Sequence, residues 1–562
     1  MKRKTLTTAV MAGLTGVAGM MSVANAVNVN PDGLGQVLLY PYYTARGGND
    51  TLISVVNTTS AGKAVKIRFL EALNSREVLD FNIYLSPFDV WTAAVTDFAR
   101  AGIDPEGGPG ITIADSTCTA PYIFGDDGIQ EFVDFQFASE PFEDPVGDDF
   151  AGTQDGGPTD IERAASGYIE IIEMGTMVAQ PDPEGGAPAT DEPGIVPWNA
   201  KHVDGAPRDC DFLVDLWRAP VPGVTPGPGE LGYWQSSPEN RDFGFEPAGS
   251  AMTGGLFGAA SIINVTDGLM FSYNATAIDS FWQTGAAAFH QPPGDVLPSL
   301  NSSTQTTANS FVNGQVETTN WPAGLLSLNA AITVNQLMNE YAINQGMLSG
   351  RTEWVLTFPT KSFHVDNAPG GPNEGVPLEE AIPPFTSLWT VESPSSCDGQ
   401  TFGFWDREEG PASGPVVPGD PGDVIISPPR PPEPGEPAPP GFQLCREANV
   451  VRFVNDDTLP AETEVLGEPL RTDGSGNVTA LSYTNFQLPA EVISGWVQFD
   501  FDGFVSVSSS DPTPKQIRGL PVIGFSANTF SNSNIGDGVR ASFGGTFQHR
   551  GTRTLAQPVM QP

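Results

Sequence analysis

Lys361, Ser362, His364 and Asp366 fall within six positions, inside the stretch TEWVLTFPTKSFHVD that runs from Thr352 to Asp366. These are residue types a hydrolase uses. A hydroxyl attacks, an imidazole takes its proton, and a carboxylate orients the imidazole. The spacing argues otherwise. Trp354, Leu356 and Phe358 alternate with Glu353, Val355 and Thr357, the period of a β-strand, and Pro359 interrupts the ladder as at an edge or bulge. Continued alternation puts Ser362, His364 and Asp366 on one face and Lys361, Phe363 and Val365 on the other. Residues two apart on a strand stand about 6.6 Å apart, while proton transfer needs about 2.6–3.2 Å. No strained elbow projects the serine, and no glycine-rich turn offers an oxyanion hole. The stretch therefore reads as the polar, water-facing side of a half-buried strand, with Trp354 and Phe363 on apolar faces and no catalytic residues.

Other chemical signals are weaker. Ser60 and Lys63 match S-x-x-K but sit in a turn between strands, and Gly524–Asn528 lacks the last glycine of G-x-S-x-G. His202, His290, His364 and His549 show no metal-ligand spacing. Asp144, Asp148, Asp149 and Asp155 are calcium candidates by residue type, but they depart from the EF-hand pattern and read first as a solvated acidic loop. Trp91, Trp354 and Trp496 fall in strand patterns, which predicts core packing rather than a sugar platform. No cofactor is implied.

The elements that would position such residues are strands. Met1–Lys4 is basic, Thr5–Val23 is apolar and small, and Ala24-Asn25-Ala26 has the A-x-A form of a signal-peptidase site, so 1–26 reads as a signal peptide. No later stretch approaches the roughly 18 apolar residues of a membrane helix. The net charge of −41 disfavours nucleic acid and anionic lipid as partners. Only five lysines lie beyond residue 26, a composition suited to a saline medium that screens self-repulsion. Four cysteines in an exported chain imply disulfides. Cys118–Cys210 and Cys397–Cys445 is the preferred pairing because each pair brackets a flexible, low-complexity segment.

Residues 27–100 alternate in short runs such as KAVKIRF and read as an immunoglobulin-like β-sandwich. Residues 101–230 read as strand-poor and acidic. Residues 231–396 carry a hairpin at 258–278 with its turn at Thr266-Asp267-Gly268. They also hold the one convincing amphipathic helix, 327–345, capped by Ser327. Residues 397–445 enclose a proline-rich stretch, 408–441, of polyproline II character, and 446–562 is a C-terminal β region. The expected fold class is all-β, mainly antiparallel, with sandwich units, one helix and long acidic or proline-rich loops.

GQVLLYPYYT, TLISVVNTT, KAVKIRFLEALNSREVLDFNIYLSPFDVW, GLFGAASIINVTDGLMFSYNATAI, WVLTFPTKSFHVD and GLPVIGFSANTF resemble blocks of a family of uncharacterised secreted proteins, often labelled cell surface proteins, from marine and related proteobacteria. The resemblance implies a surface location and carries over no activity or catalytic residue. The leading expectation is an exported, non-catalytic cell-surface or extracellular-matrix protein. Its contacts would be with further copies of itself or other surface components, with the periplasm as an alternative address. The rival readings are a secreted hydrolase of polysaccharide or ester substrates and a calcium- or glycan-binding module.

Overall fold

Val65, Ile67 and Phe69 alternate with Lys66 and Arg68, and in the computed structural model this stretch is a strand, Lys63–Glu71. Both its faces are buried, so the alternation does not separate core from water. The apolar set enters the core. The charged set meets carboxylates instead: Lys66 lies 3.1 Å from Asp80, Arg68 lies 2.6 Å from both Glu77 and Glu170, and Lys63 lies 2.7 Å from Glu173. Buried charges survive only when paired in this way. The structure describes residues 26–558 except 125–126, 139–141, 144–148, 151–152, 179–194, 246–251, 344–347, 408–441, 457, 473–477, 491 and 533–540. The signal segment before Ala26 and the proline-rich stretch lie outside the described residues.

The all-β, mainly antiparallel expectation holds. Two sheets face each other across the first core. The seven-stranded sheet runs Asn28–Val29, Thr276–Asp279, Val37–Thr44, Ser166–Thr176, Lys63–Glu71, Glu77–Leu85, Cys118–Ala120. The six-stranded sheet runs Leu269–Asn274, Leu256–Asn264, Asn49–Asn57, Val90–Asp97, Pro109–Thr112, Ile129–Glu131. Ser166–Thr176 lies between Val37–Thr44 and Lys63–Glu71, and Leu256–Asn264 pairs with Asn49–Asn57 along its length. The strands of 27–100 therefore close no sandwich by themselves. The stretch read as strand-poor supplies a central strand, and the boundary expected at residue 100 runs through a shared core. This strand order lends no support to the immunoglobulin-like label.

Two five-stranded sheets form the second half. One, here the Trp354 sheet, orders Tyr483–Gln487, Ala448–Val454, Leu348–Thr357, Ile523–Asn532 and Ala541–Gln548. The other, the Trp496 sheet, orders Phe442–Leu444, Asp398–Asp406, Ser494–Asp500, Gln336–Ala342 and Arg550–Thr552. The central strands of the Trp354 sheet are buried on both sides, while its edge strand Ala541–Gln548 is exposed. Val355, Val450, Phe525 and Ala527 join the first core, while Trp354, Leu356, Val451 and Phe453 face Phe404, Val497 and Phe499 of the Trp496 sheet in a second core. Strands sealed on both faces lose the apolar-polar rhythm, as ANVVRFV does.

The hairpin forms as expected, with Asn264 opposite Leu269 and Gly268 at φ 67° in the turn. The helix expected over 327–345 does not. The helix is Gly324–Ile332, and Gln336–Ala342 is a strand paired residue for residue with Ser494–Asp500. The Ala331, Val334, Met338, Tyr341 spacing mimicked a helical stripe, but pairing with a distant strand outweighed that local pattern. Ser327 sits within the helix and donates to the carbonyls of Gln305 and Gly324. Both disulfides form as expected, Cys118–Cys210 and Cys397–Cys445. They close loops of 92 and 48 residues, each worth about 4 kcal/mol in the chain-entropy picture. Disulfides fit an oxidising, extracytoplasmic compartment. Among the described residues no helix is long and apolar enough to cross a membrane.

Candidate functional site

The strand that carries Trp354 ends at Thr357, and the residues beyond Pro359 fold into a single helical turn, Ser362–Val365. The water-facing strand expected there is absent. Lys361, Ser362, His364 and Asp366 are all buried, whereas Phe363 is half-buried. In a helical turn the i, i+2, i+4 alternation no longer defines a face, so the triad types diverge. His364 Nε2 accepts from the Asn329 amide at 2.7 Å and its Nδ1–H donates to the Ile382 carbonyl at 3.1 Å. Burial holds its pKa down at about 4. Both ring nitrogens are thus engaged, and neither is left to serve Ser362. Asp366 lies 2.9 Å from Arg76, and the Lys361 ammonium donates to the Ser396 carbonyl at 2.6 Å.

Asp366 belongs to a buried ionic cluster that bolts the two halves together. Arg163 grips both oxygens of Asp155, at 2.9 and 2.6 Å, and reaches Glu71 at 2.9 Å. Arg76 lies between Asp155 and Asp366, and Trp389 Nε1 donates to the Asp155 carbonyl. Burial raises the Asp155 carboxyl pKa, but the hydrogen bonds and charge of Arg163 and the charge of Arg76 outweigh it and hold the group below its usual value. Asp155, offered as a calcium ligand on a solvated loop, is instead a fully buried anion neutralised by two guanidiniums. Asp144 and Asp148 lie outside the described residues, and Asp149 begins a short strand, Asp149–Phe150. Among the described residues no three His, Cys, Asp or Glu side chains are grouped to hold a metal.

The other motifs are similarly absorbed. Lys63 of the S-x-x-K match is paired to Glu173, and Gly524–Asn528 runs within the strand Ile523–Asn532. His290 accepts from the Tyr84 hydroxyl, which accepts from Trp217 Nε1, and its Nδ1–H donates to the Arg241 carbonyl. Burial pushes its pKa down to about 3. His549, down to about 4, accepts from Asn339 and donates to the Val355 carbonyl.

These groups together set a pH dependence. Burial pushes Glu353 up to about 7 and Asp366 up to about 6, and raises Glu447 well above the usual carboxylate range. Such carboxyls hold protons in the fold that the unfolded chain releases near pH 4. Their stabilisation is therefore lost as pH rises through the folded values. His290, His364 and the half-buried His549 act oppositely between about pH 4 and 6.5, where only the unfolded chain binds their protons. The opposing contributions offset one another at pH 5–6.5. Above 6.5 the histidines drop out and the carboxyls dominate over the buried Lys361 ammonium, whose pKa burial lowers, so stability falls on the order of 1–3 kcal/mol by pH 8. Urea midpoints measured at pH 5.5, 6.5 and 8 check this; a midpoint that rises from 6.5 to 8 would refute it.

The outer face of the Trp496 sheet is different in kind. Trp91 and Trp354 are core residues as expected, but Trp496 is 37 % exposed. The reason is register. Val497 and Phe499 point inward, so Trp496 and Gln498 point out. Pairing sets Trp405 and Glu340 on either side of Trp496, and Met338 beside Arg550. The indoles of Trp405 and Trp496 stack with centroids 3.9 Å apart and planes 10° from parallel. A Cβ at Gly403 would come within 2.7 Å of the Trp405 ring, so that glycine is what lets the indole lie over its own strand. Beside the stack runs a groove of about 350 Å³ lined by Met338, Asn339, Glu340, Trp496, Phe547 and Arg550, with Thr546 and Gln548 completing it. Phe547 is half exposed. Asn339 is held by the Phe547 carbonyl and His549. The side chains of Glu340, Gln548 and Arg550 make no hydrogen bond or ion pair among the described residues. Sequence reasoning placed Trp496 on a strand but had no means of telling which face would be covered.

The chain matches no protein-family model, no curated protein and no solved structure.

Proposed function

We propose that the protein is an exported, non-catalytic cell-surface or extracellular-matrix protein that acts by contact, using the open face of the Trp496 sheet. The observation that carries this reading is a contrast in burial. Ser362 is buried and His364, Asp366 and Lys361 are buried and engaged in structural bonds, whereas the stacked tryptophans and Glu340, Gln548 and Arg550, whose side chains are unpaired among the described residues, line or border a groove on the outer face. Nucleophile and base need access and mutual reach. A binding face needs exposed aromatic area with convergent polar groups. Two disulfides and the signal-like residues 1–26 support export, and a large negative charge keeps the chain off nucleic acid and anionic lipid. Self-association and contact with other surface components are the partner classes that fit.

The test is fractionation of the source cells combined with labelling of intact cells by an antibody to the folded protein. The expected result is label on intact cells and an N-terminus at Val27 in the mature chain. Recovery only in the cytoplasmic fraction, with residues 1–26 retained, would sink the proposal.

A further inference from the structure

We infer that the groove beside Trp405 and Trp496 binds a short stretch of a neutral polysaccharide; this rests on the contact function proposed above and names its ligand. The argument begins with what the face offers. The stacked indole pair presents a rigid apolar surface at low entropic cost, with Met338 and Phe547 extending it along the groove. Pyranose rings carry C–H groups on their faces and hydroxyls on their rims. An aromatic surface covers the first, and the rim needs partners that both donate and accept. Glu340 supplies acceptors, Arg550 donors and Gln548 both, and among the described residues none of the three side chains has a partner. Unpaired side chains of this kind, converging on one groove, have hydrogen-bonding capacity left for a ligand.

Size and charge narrow the class. A volume of about 350 Å³ lies at the small end of ligand sites, which suits one or two sugar rings of a longer chain lying across the face. Glu340 and Arg550 give the groove opposite charges that offset each other. Around it the chain carries −41, which repels an anionic polymer such as a uronate chain. A cationic ligand would meet Arg550. A neutral glycan meets neither obstacle. The sheet also explains the rigidity of the site: Trp405, Trp496, Glu340 and Arg550 stand on four paired strands, so little ordering is left to be done on binding.

The experiment titrates the mature chain with soluble neutral oligosaccharides, namely β-1,4-glucan, β-1,3-glucan, mannan and chitin oligomers, and reads tryptophan fluorescence and calorimetry. At least one series is expected to bind, with affinity little changed between 50 and 500 mM salt, roughly as for a ligand without charge. Trp496→Ala is expected to weaken that binding by at least about tenfold while the protein keeps a cooperative melt, because the indole lies on the outer face of the sheet and outside the core. Trp405→Ala, on the neighbouring strand, should weaken it as well. Absence of binding to every neutral series would overturn the inference, as would equal binding by Trp496→Ala or binding confined to uronate oligomers. Each of those results leaves the surface labelling untouched. Conversely, a cytoplasmic location would remove the contact function without erasing a measured glycan affinity.

Discussion

Replacing Arg163 with alanine is expected to cost roughly 3–5 kcal/mol of stability. Arg163 is 3 % exposed, and its guanidinium binds Asp155 through two nitrogens while reaching Glu71 through one. Truncation leaves two carboxylates buried, with Asp155 still near Arg76 but no longer held in a fork. The cost is mainly that of uncompensated charge rather than the loss of an attraction. Arg163→Lys should recover only part of it, since a single ammonium lacks the planar fork that serves both oxygens of Asp155 and Glu71 together. Combining Arg163→Ala with Asp155→Asn should cost less than the sum of the two single changes, because the second removes one of the stranded charges. Urea midpoints at pH 6.5 for Arg163→Ala, Arg163→Lys, Asp155→Asn and the double variant measure these effects. A loss below about 1 kcal/mol for Arg163→Ala, the range of exposed ion pairs, would show that the cluster is hydrated and is not the bolt described here.

Trp354→Ala should be as damaging, at roughly 3–5 kcal/mol. The indole is fully buried between the two five-stranded sheets. It packs against Phe453 at 4.8 Å, Phe499 at 5.5 Å and His549 at 5.1 Å between ring centroids, and its Nε1–H donates to the Glu340 carbonyl at 3.0 Å. Truncation opens a cavity at the centre of the second core and strands the Glu340 carbonyl. Glu340 itself lines the groove, so the variant should also loosen its backbone and weaken any ligand bound there. Trp496→Ala, on the outer side of the facing five-stranded sheet, should cost far less, about the 0.5–1.5 kcal/mol of its stack on Trp405. The pair of melts separates the core between the two sheets from the outer face of the Trp496 sheet, and similar losses at both positions would contradict that assignment.

Much was legible in the residues themselves. Alternation and turn chemistry are local, so Val37–Thr44, Lys63–Glu71 and the 256–274 hairpin could be placed before any fold was known. The disulfide pairing followed from which cysteines bracket loop-rich segments, a matter of chain order alone. Tertiary structure decided what each face meets. Lys66 and Arg68 looked wet but are buried, because carboxylates from the neighbouring Glu77–Leu85 and Ser166–Thr176 strands neutralise them. Gln336–Ala342 looked helical and became a strand, because Ser494–Asp500 arrives from more than 150 residues away to complete its hydrogen bonds. Ser362, His364 and Asp366 looked like a polar strand face, and a helical turn sends them to Asn329, Ile382 and Arg76 instead. Trp496 carries the same period-two signal as Trp354, yet one faces water and the other a core. Period two tells which residues share a face. Whether that face is covered depends on partners hundreds of residues distant, and no local pattern encodes their arrival.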